Sequence, residues 1–334
     1  MMRRIGKSVV LAIALVAALV AGGTAVAGAK AEFRVSNQLP PSHHMSKAIV
    51  VFAGKLKEYS KGSVEAKIFD SAQLYKDTEI VEALQEGLVE AGLVPINKWS
   101  GMLPAADVFE VPFLFKDLSS LKKFLDAGAG ELLGKEFEKK TVKNLFWVDY
   151  GYIQFWNNKR PLAKPDDFKG LKMRTFSKGD ADTLRALGAA PTVMSSSEMY
   201  MALQRGTVDG ATTGMPAAVS RKVHEVSKFM TEANYTTAQF AVQANLKWFE
   251  KLSADQKEAV LKAGKDAEEW IRGVIAKEED AAEQTVRKAG VQIQKLTDEQ
   301  RALFIKATEP VRNDFAKKTG ELAKKLMEIA LSLK

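Results

Sequence analysis

The chain has 334 residues, 46% apolar and 27% charged, an ordinary balance for a soluble globular protein long enough for two domains with their own cores. It has no cysteine and three histidines (His43, His44 and His224), which excludes disulfide frameworks and thiolate metal sites and leaves little material for a zinc site or a histidine-based triad. The formal charge of +8 is spread among acidic neighbours, as in Glu136-Phe137-Glu138-Lys139-Lys140, with no basic run interleaved with aromatics, so nucleic acid is a poor partner while small anions are favoured.

The first 27 residues read as a secretory signal peptide: Arg3, Arg4 and Lys7, an uncharged apolar core over 8–20, and the small-x-small site Ala25-Val26-Ala27. That core is too short for a comfortable membrane span. Cleavage after Ala27, Ala29 or Ala31 leaves an exported, soluble protein, periplasmic in a Gram-negative cell, and removal of the three cations takes +8 to +5.

A strand over 32–37 is followed by a helix over 47–60, which places Ile49, Val50, Phe52, Ala53 and Leu56 on one side and stops at Lys61-Gly62. A strand over 64–69, a helix over 78–86 closed by Gly87 and a strand over 89–94 complete a β-α-β-α-β order, which predicts an α/β unit with a mainly parallel sheet. A second such unit begins near Lys143, with an aromatic strand over 145–156. Pro165-Asp166-Asp167-Phe168-Lys169-Gly170 then makes a polar helical turn and a glycine break, and the strand over 171–175 delivers Arg174. A helix over 180–187 closed by Gly188, a strand over 191–194, the capping-box pattern Ser195-Ser196-Ser197-Glu198, a helix ending at Gly206 and a strand over 208–212 follow. The units share a phrase: Ala83-Leu84-Gln85-Glu86-Gly87-Leu88-Val89-Glu90-Ala91 against Ala202-Leu203-Gln204-Arg205-Gly206-Thr207-Val208-Asp209-Gly210. It is either the mark of two similar halves or a common helix ending in glycine. Beyond Ser253 two long helices are expected, over about 254–289 and 298–333, each opened by a capping box.

Enzyme signatures are scarce: the chain holds no P-loop, GxGxxG, GxSxG or HExxH pattern. His43-His44 lacks neighbouring carboxylates or a third histidine and is a poor metal site, and Asp166-Asp167 suit a helix start better than acid catalysis. What remains is a binding inventory. The guanidinium of Arg174 offers five donors in a planar fork matched to carboxylates, or it is a surface arginine paired with a nearby acid. Asn37, Asn97, Lys98, Gln154, Ser177 and Thr213 are candidate polar contacts, and Trp99, Phe113, Tyr152, Phe155 and Trp156 are candidate apolar walls or core.

Over nearly all of the mature chain the sequence resembles the extracytoplasmic solute-binding proteins of TRAP transporters. The residues that carry the resemblance are Ser71-Ala72-Gln73-Leu74, Val111-Pro112-Phe113-Leu114-Phe115, Asn158-Lys159-Arg160-Pro161, Phe168-Lys169-Gly170-Leu171-Lys172-Met173-Arg174, Leu187-Gly188-Ala189 and the two shared phrases. The resemblance implies a two-lobed α/β clamshell, each lobe a mixed, mainly parallel sheet flanked by helices, with a long helix bridging them. Lobe I would take 32–150 plus about 239–278, and lobe II 151–238 plus about 279–334. It implies no cofactor, metal or enzymatic activity, but capture of a small organic acid in the cleft and its delivery to membrane permease subunits that couple uptake to sodium. Arg174 then forms the salt bridge to the ligand carboxylate, with Asn37, Asn97 and Trp99 closing the cage, and Lys98, Phe113, Ile153, Gln154, Phe155, Ser177, Thr213 and Met215 completing the expected contacts.

Two positions depart from the pattern. Many members carry a second arginine where this chain has Ile153, and an asparagine where it has Thr213. One arginine points to a monocarboxylate (a hydroxy, keto or aromatic acid), with a C4-dicarboxylate or a sulfonate as alternatives. If Ile153 faces the pocket, strand alternation puts Phe155 there too and turns Gln154 and Trp156 away unless the strand is bulged. A periplasmic enzyme acting on a small acid and a ligand-sensing receptor subunit are the rival classes.

Overall fold

The structure, a computed structural model, describes residues 31–318 and 320–333; the expected signal peptide lies outside them. Nine strands form one sheet: β1 (Ala31–Ser36), β2 (Val64–Phe69), β3 (Ala91–Pro95), β4 (Val142–Asn157), β5 (Lys172–Thr175), β6 (Ala190–Val193), β7 (Gly210–Gly214), β8 (Phe229–Asn245) and β9 (Gln292–Lys295). The helices are α1 (His44–Tyr59), α2 (Ile80–Gln85), α3 (Leu118–Phe124), α4 (Gly130–Glu138), α5 (Lys178–Ala186), α6 (Met199–Gln204), α7 (Met215–Ser220), α8 (Leu246–Glu250), α9 (Ala254–Lys288), α10 (Asp298–Ala307), α11 (Glu309–Lys318) and α12 (Gly320–Ser332).

The strand order β2-β1-β3-β8-β4-β7-β5-β6 is a two-lobed arrangement in one path, as expected of the clamshell. In one half β1 pairs parallel with β2 and β3; in the other β5 pairs parallel with β6 and β7. The long antiparallel pair of β4 and β8 belongs to both, since β8 pairs β3 through Phe240–Ala244 and β4 pairs β7 through Ile153–Asn157. The β4–β8 register shifts between Asp149 and Tyr152 and again between Ile153 and Phe155, and Gly151 sits in the first shift at φ +105°. Such an irregularity bends a strand and strengthens its twist.

The repeated phrase is structural. After α2, Gly87 (φ +71°) donates to Leu84 O and Leu88 donates to Ala83 O; after α6, Gly206 (φ +68°) donates to Leu203 O and Thr207 donates to Ala202 O. Both are the same Schellman ending, in which a left-handed glycine turns the chain into the next strand, β3 or β7.

Helix α9, 35 residues and about 50 Å long, opens with the expected capping box of Ser253 and Gln256. It buries Ala259, Val260, Ala263, Ala267, Ile271 and Ile275 on one stripe and packs on α1, β4 and α7, so it runs along both halves. Gly264 lets it approach β4, where a Cβ would lie 3.1 Å from Leu145 O. The single C-terminal helix expected over 298–333 is instead α10, α11 and α12. Pro310, without an N–H and with a ring that collides with the preceding turn, interrupts it first, and Gly320, at φ +80°, starts α12. The capping box expected at Ser195 does not form: α6 starts at Met199 with no side-chain cap, and the serine hydroxyls bond elsewhere.

Glu279 of α9 faces Gly151. Its Oε1 accepts from Tyr152 N at 3.1 Å and its Oε2 is buried without a partner. Burial, with Glu232 and Asp280 adding repulsion, raises its pKa to about 8. A carboxyl whose folded pKa is raised contributes stability that is full below its unfolded value and is lost as pH rises through the folded one. Glu279→Gln is therefore expected to be the more stable protein at pH 9, by a margin on the order of 4 kcal/mol that vanishes near pH 4–5. Urea unfolding of both proteins at pH 5, 7 and 9 checks this; parallel pH profiles would count against it.

Candidate functional site

The C-terminal ends of β1, β3, β5 and β7 converge where parallel-strand folds place ligands. A narrow cavity of about 30 Å³ lies there. Gln38 and Leu39 follow β1; Pro95, Asn97 and Lys98 follow β3; Arg174 and Phe176 come from β5 and its exit, and Thr212 and Thr213 from β7. Tyr150 and Ile153 flank the β4 irregularity, Ala238 and Phe240 come from β8, and Asp77, Ser196 and Arg221 from connecting segments complete the wall. The volume holds about two waters, so even a four-carbon acid enters only if the walls part.

Arg174 is 1% exposed. Its Nε and Nη2 donate to Met194 O at 3.2 and 3.0 Å, and its Nη1 donates to Thr212 O at 3.0 Å. One N–H per contact leaves one hydrogen on each Nη. Burial lowers its pKa while Asp77, Tyr150 and Asp180 work in the other direction; an arginine stays charged through such a shift. The surface-arginine reading therefore fails: the side chain is inside, held by carbonyls, with no carboxylate partner among the described residues. Behind it Asp180 accepts from Thr175, Thr212 and Tyr235, and burial pushes its carboxyl up.

Sequence reading did not single out Arg221. Its Nη2 donates to Gln38 O at 2.7 Å and to Ser196 Oγ at 3.2 Å, and its Nε is buried without a partner. Burial lowers its pKa to about 10, with Arg174 adding repulsion and Tyr150 and Asp77 opposing. Lys98 Nζ donates to Phe176 O at 2.8 Å and lies 3.4 Å from Asp77 Oδ2. Burial pushes the Asp77 carboxyl up, but Lys98 first, then the Ser195 hydroxyl and the two arginines, hold it below the usual range. The lining thus carries three cations against one carboxylate. A larger cavity of about 480 Å³ between α5 and α11 is lined by Asp107, Glu110, Asp182 and Asp314 against a single Lys178. That balance repels an anion, so the smaller, cationic cavity is the candidate site.

Of the expected contacts, Asn97, Lys98, Ile153, Arg174 and Thr213 line this cavity. Asn97 Oδ1 is buried without a partner, and Thr213 Oγ1 pairs with Tyr150 OH at 2.8 Å. The others do not line it. Asn37 is saturated: its Nδ2 donates to Ser46 Oγ at 2.7 Å and Asp70 Oδ1 at 2.6 Å, and its Oδ1 accepts from Leu39 N. Trp99 is core, packed on Phe137 with its Nε1 donating to Gln243 Oε1 at 3.0 Å. Phe113, at φ +57°, donates its N–H to Tyr235 O and lies under the Arg301 guanidinium. Gln154 binds the backbone of Ala233 and Asn234 through Oε1. Phe155 keeps its alternation with Ile153, since the extra residues of that register shift lie on β8 and β4 pairs β7 without a break, but it is absent from the cavity lining and stacks on Tyr235 at 4.3 Å in the core. Ser177 caps α5 and donates to Glu110, and Met215 packs with Trp156 in the core. Tyr152 OH accepts from Leu118 N, and Trp156 Nε1 donates to Thr213 O. His43 and His44 are buried and stacked, His43 capping α1 and His44 Nε2 lying 3.1 Å from Asp149 O. No histidine–carboxylate group able to hold a metal ion is found among the described residues.

Comparison with known proteins places this geometry. The family model for bacterial extracellular solute-binding proteins, family 7, matches residues 35–319. The C4-dicarboxylate-binding periplasmic protein of Rhodobacter capsulatus is 34% identical over 291 residues, 86% of this chain and 87% of that protein. A TRAP periplasmic solute-binding protein of Sulfurospirillum deleyianum with bound succinate superposes with a TM-score of 0.86 at 30% identity, covering 92% of this chain and 100% of that one. One from Roseobacter denitrificans with bound β-D-glucuronate does so at 0.86 and 27%, covering 91% and 100%.

Proposed function

The chain belongs to the bacterial extracellular solute-binding proteins of family 7, receptors rather than enzymes, and on that premise we propose that it captures a small organic acid anion outside the cytoplasmic membrane and hands it to the permease subunits of a TRAP transporter. The observation that carries this is Arg174: buried, lining the cavity, held by two carbonyls and without a carboxylate of its own. A ligand carboxylate at its free Nη hydrogens would form a charge-assisted pair in a dry site. Entry requires the walls to part and retention requires them to close, so binding is a population shift between open and closed forms. Lys98 to Phe176 O and Arg221 to Gln38 O would be among the contacts that closure makes, with the lobes dividing near Gly151. Export by the segment over 1–27 and a periplasmic location accord with the periplasmic relatives.

The finer reading, a monocarboxylate, rests on Ile153 standing where a second arginine was expected; Arg221 across the cavity weighs against it, and the narrow volume weighs against an aromatic acid. The named relatives bind C4-dicarboxylates, succinate and glucuronate. A thermal-shift screen over mono-, di-, sugar and aromatic acids and sulfonates tests the proposal, because a ligand that binds only the folded state raises Tm. Small acids are expected to raise it; a flat response to every acid would defeat the reading.

A further inference from the structure

Two guanidiniums line the cavity, and neither has a carboxylate partner among the described residues. Asp77, the one carboxylate in the lining, is taken by Ser195 and Lys98. Lys98 and Asp77 therefore compensate each other, and two positive charges remain. Arg221 also keeps a buried Nε hydrogen without an acceptor. A buried unpaired donor is costly, more so on a charged group, and it points to an acceptor that is not part of the chain. Two like charges facing one small cavity also repel, which an anion lying between them relieves.

We propose that Arg221 is a second anion anchor, which binds a second acidic group of the ligand while Arg174 holds the first, so that the site selects small dianions over monoacids. The inference rests on reading this cavity as the organic-acid site. Arg221 thus supplies, from the end of α7, the second guanidinium that position 153 lacks. It is a better-connected anchor than an isolated arginine on a strand. The Nη2 that bonds Gln38 and Ser196 ties the segment after β1 to the segment after β6, so a ligand held on Nε stiffens a contact between the two halves of the sheet. Recognition of the second acid and retention of the closed form then depend on the same side chain. The roles differ: Arg174 is held rigidly by two carbonyls within one half, whereas Arg221 reaches across to the other.

The test is calorimetric, with succinate and glutarate each paired with its half-amide, which keeps the chain length and removes one charge. The full-length mature protein, Arg221→Gln, Arg221→Lys and Arg174→Gln are compared. Wild type is expected to prefer at least one diacid over its half-amide by roughly 10–100-fold, the range for one charge-assisted contact in a desolvated site. Arg221→Gln is expected to bring that ratio close to one, mainly by weakening the diacid, and Arg221→Lys to restore part of it. Arg174→Gln is expected to weaken diacid and half-amide alike. A wild-type ratio near one overturns the proposal, as does an Arg221→Gln protein that weakens both partners by the same factor, the mark of a structural role. If monoacids bind through Arg174 and no diacid binds, the second anchor is wrong and the organic-acid site stands; if no acid of either kind binds, both fall. Melting curves of each variant separate misfolding from lost contacts, and the ratio within one folded variant is independent of its active fraction.

Discussion

Arg174→Ala should weaken binding of the physiological acid by about 2–4 kcal/mol, roughly 30- to 1000-fold, the range for removing one partner of a buried charge-assisted pair. The magnitude follows from position: the guanidinium is 1% exposed, lines the cavity, and keeps one hydrogen on each Nη beyond its bonds to Met194 O and Thr212 O. Truncation also strands Met194 O and Thr212 O and removes a counter-charge from Asp180, so some stability is lost with it. Arg174→Lys separates the effects, since lysine keeps the charge but not the planar fork; it should bind more weakly than wild type and more tightly than the alanine variant. Calorimetry with melting curves as control decides the matter, and an affinity unchanged in a folded Arg174→Ala protein would remove the clamp from the mechanism.

Gly151→Ala should cost about 3 kcal/mol or more of stability, and the reason is double. The backbone at φ +105° suits glycine alone, which accounts for about 1–3 kcal/mol. A methyl group there would also stand 2.0 Å from Glu279 Oε1 and 3.7 Å from Ile275 Cδ1. Relief by swinging Glu279 away would break its bond to Tyr152 N in a buried setting. Adding Glu279→Ala should recover the steric part of the loss and leave the backbone part. Denaturant unfolding of the single and double variants measures both, and a single variant within 0.5 kcal/mol of wild type, the usual scatter of a surface substitution, would refute the account. Because Gly151 lies where the β4–β8 ladder changes register between the two halves, closure should suffer too.

The order of strands and helices over 31–95 and 142–214, the capping boxes at Ser253 and Thr297 and the twin glycine endings were legible because each is a short-range pattern of periodicity or capping, whereas α3 and α4 between them were not assigned. Strand β8 was not: Thr231, Ala233, Tyr235 and Thr237 are buried, and so are Thr236, Ala238 and Gln239, so no two-residue alternation marks a strand covered on both faces. The serine run 195–197 was legible as a helix cap and is used otherwise, with Ser195 bonding Asp77 and Ser196 bonding Gln38. Trp99 and Phe155 looked as much like walls as like core, and packing made them core.

By itself the sequence determined an α/β order with Arg174 at the end of a strand and carried a resemblance to TRAP-transporter solute-binding proteins, because motifs and glycine endings are properties of neighbouring residues. Only the tertiary structure decided who stands beside Arg174. Arg221, Tyr150, Asp77 and Gln38 come from distant segments brought together by the β4–β8 pairing and the turns that leave the parallel strands. The register shift at Gly151, where β4 carries one residue more than β8, decides which face of β4 looks inward on either side of it. Where one guanidinium was expected, the folded chain presents two, because charge in a cavity is a sum over segments that sequence spacing does not bring together.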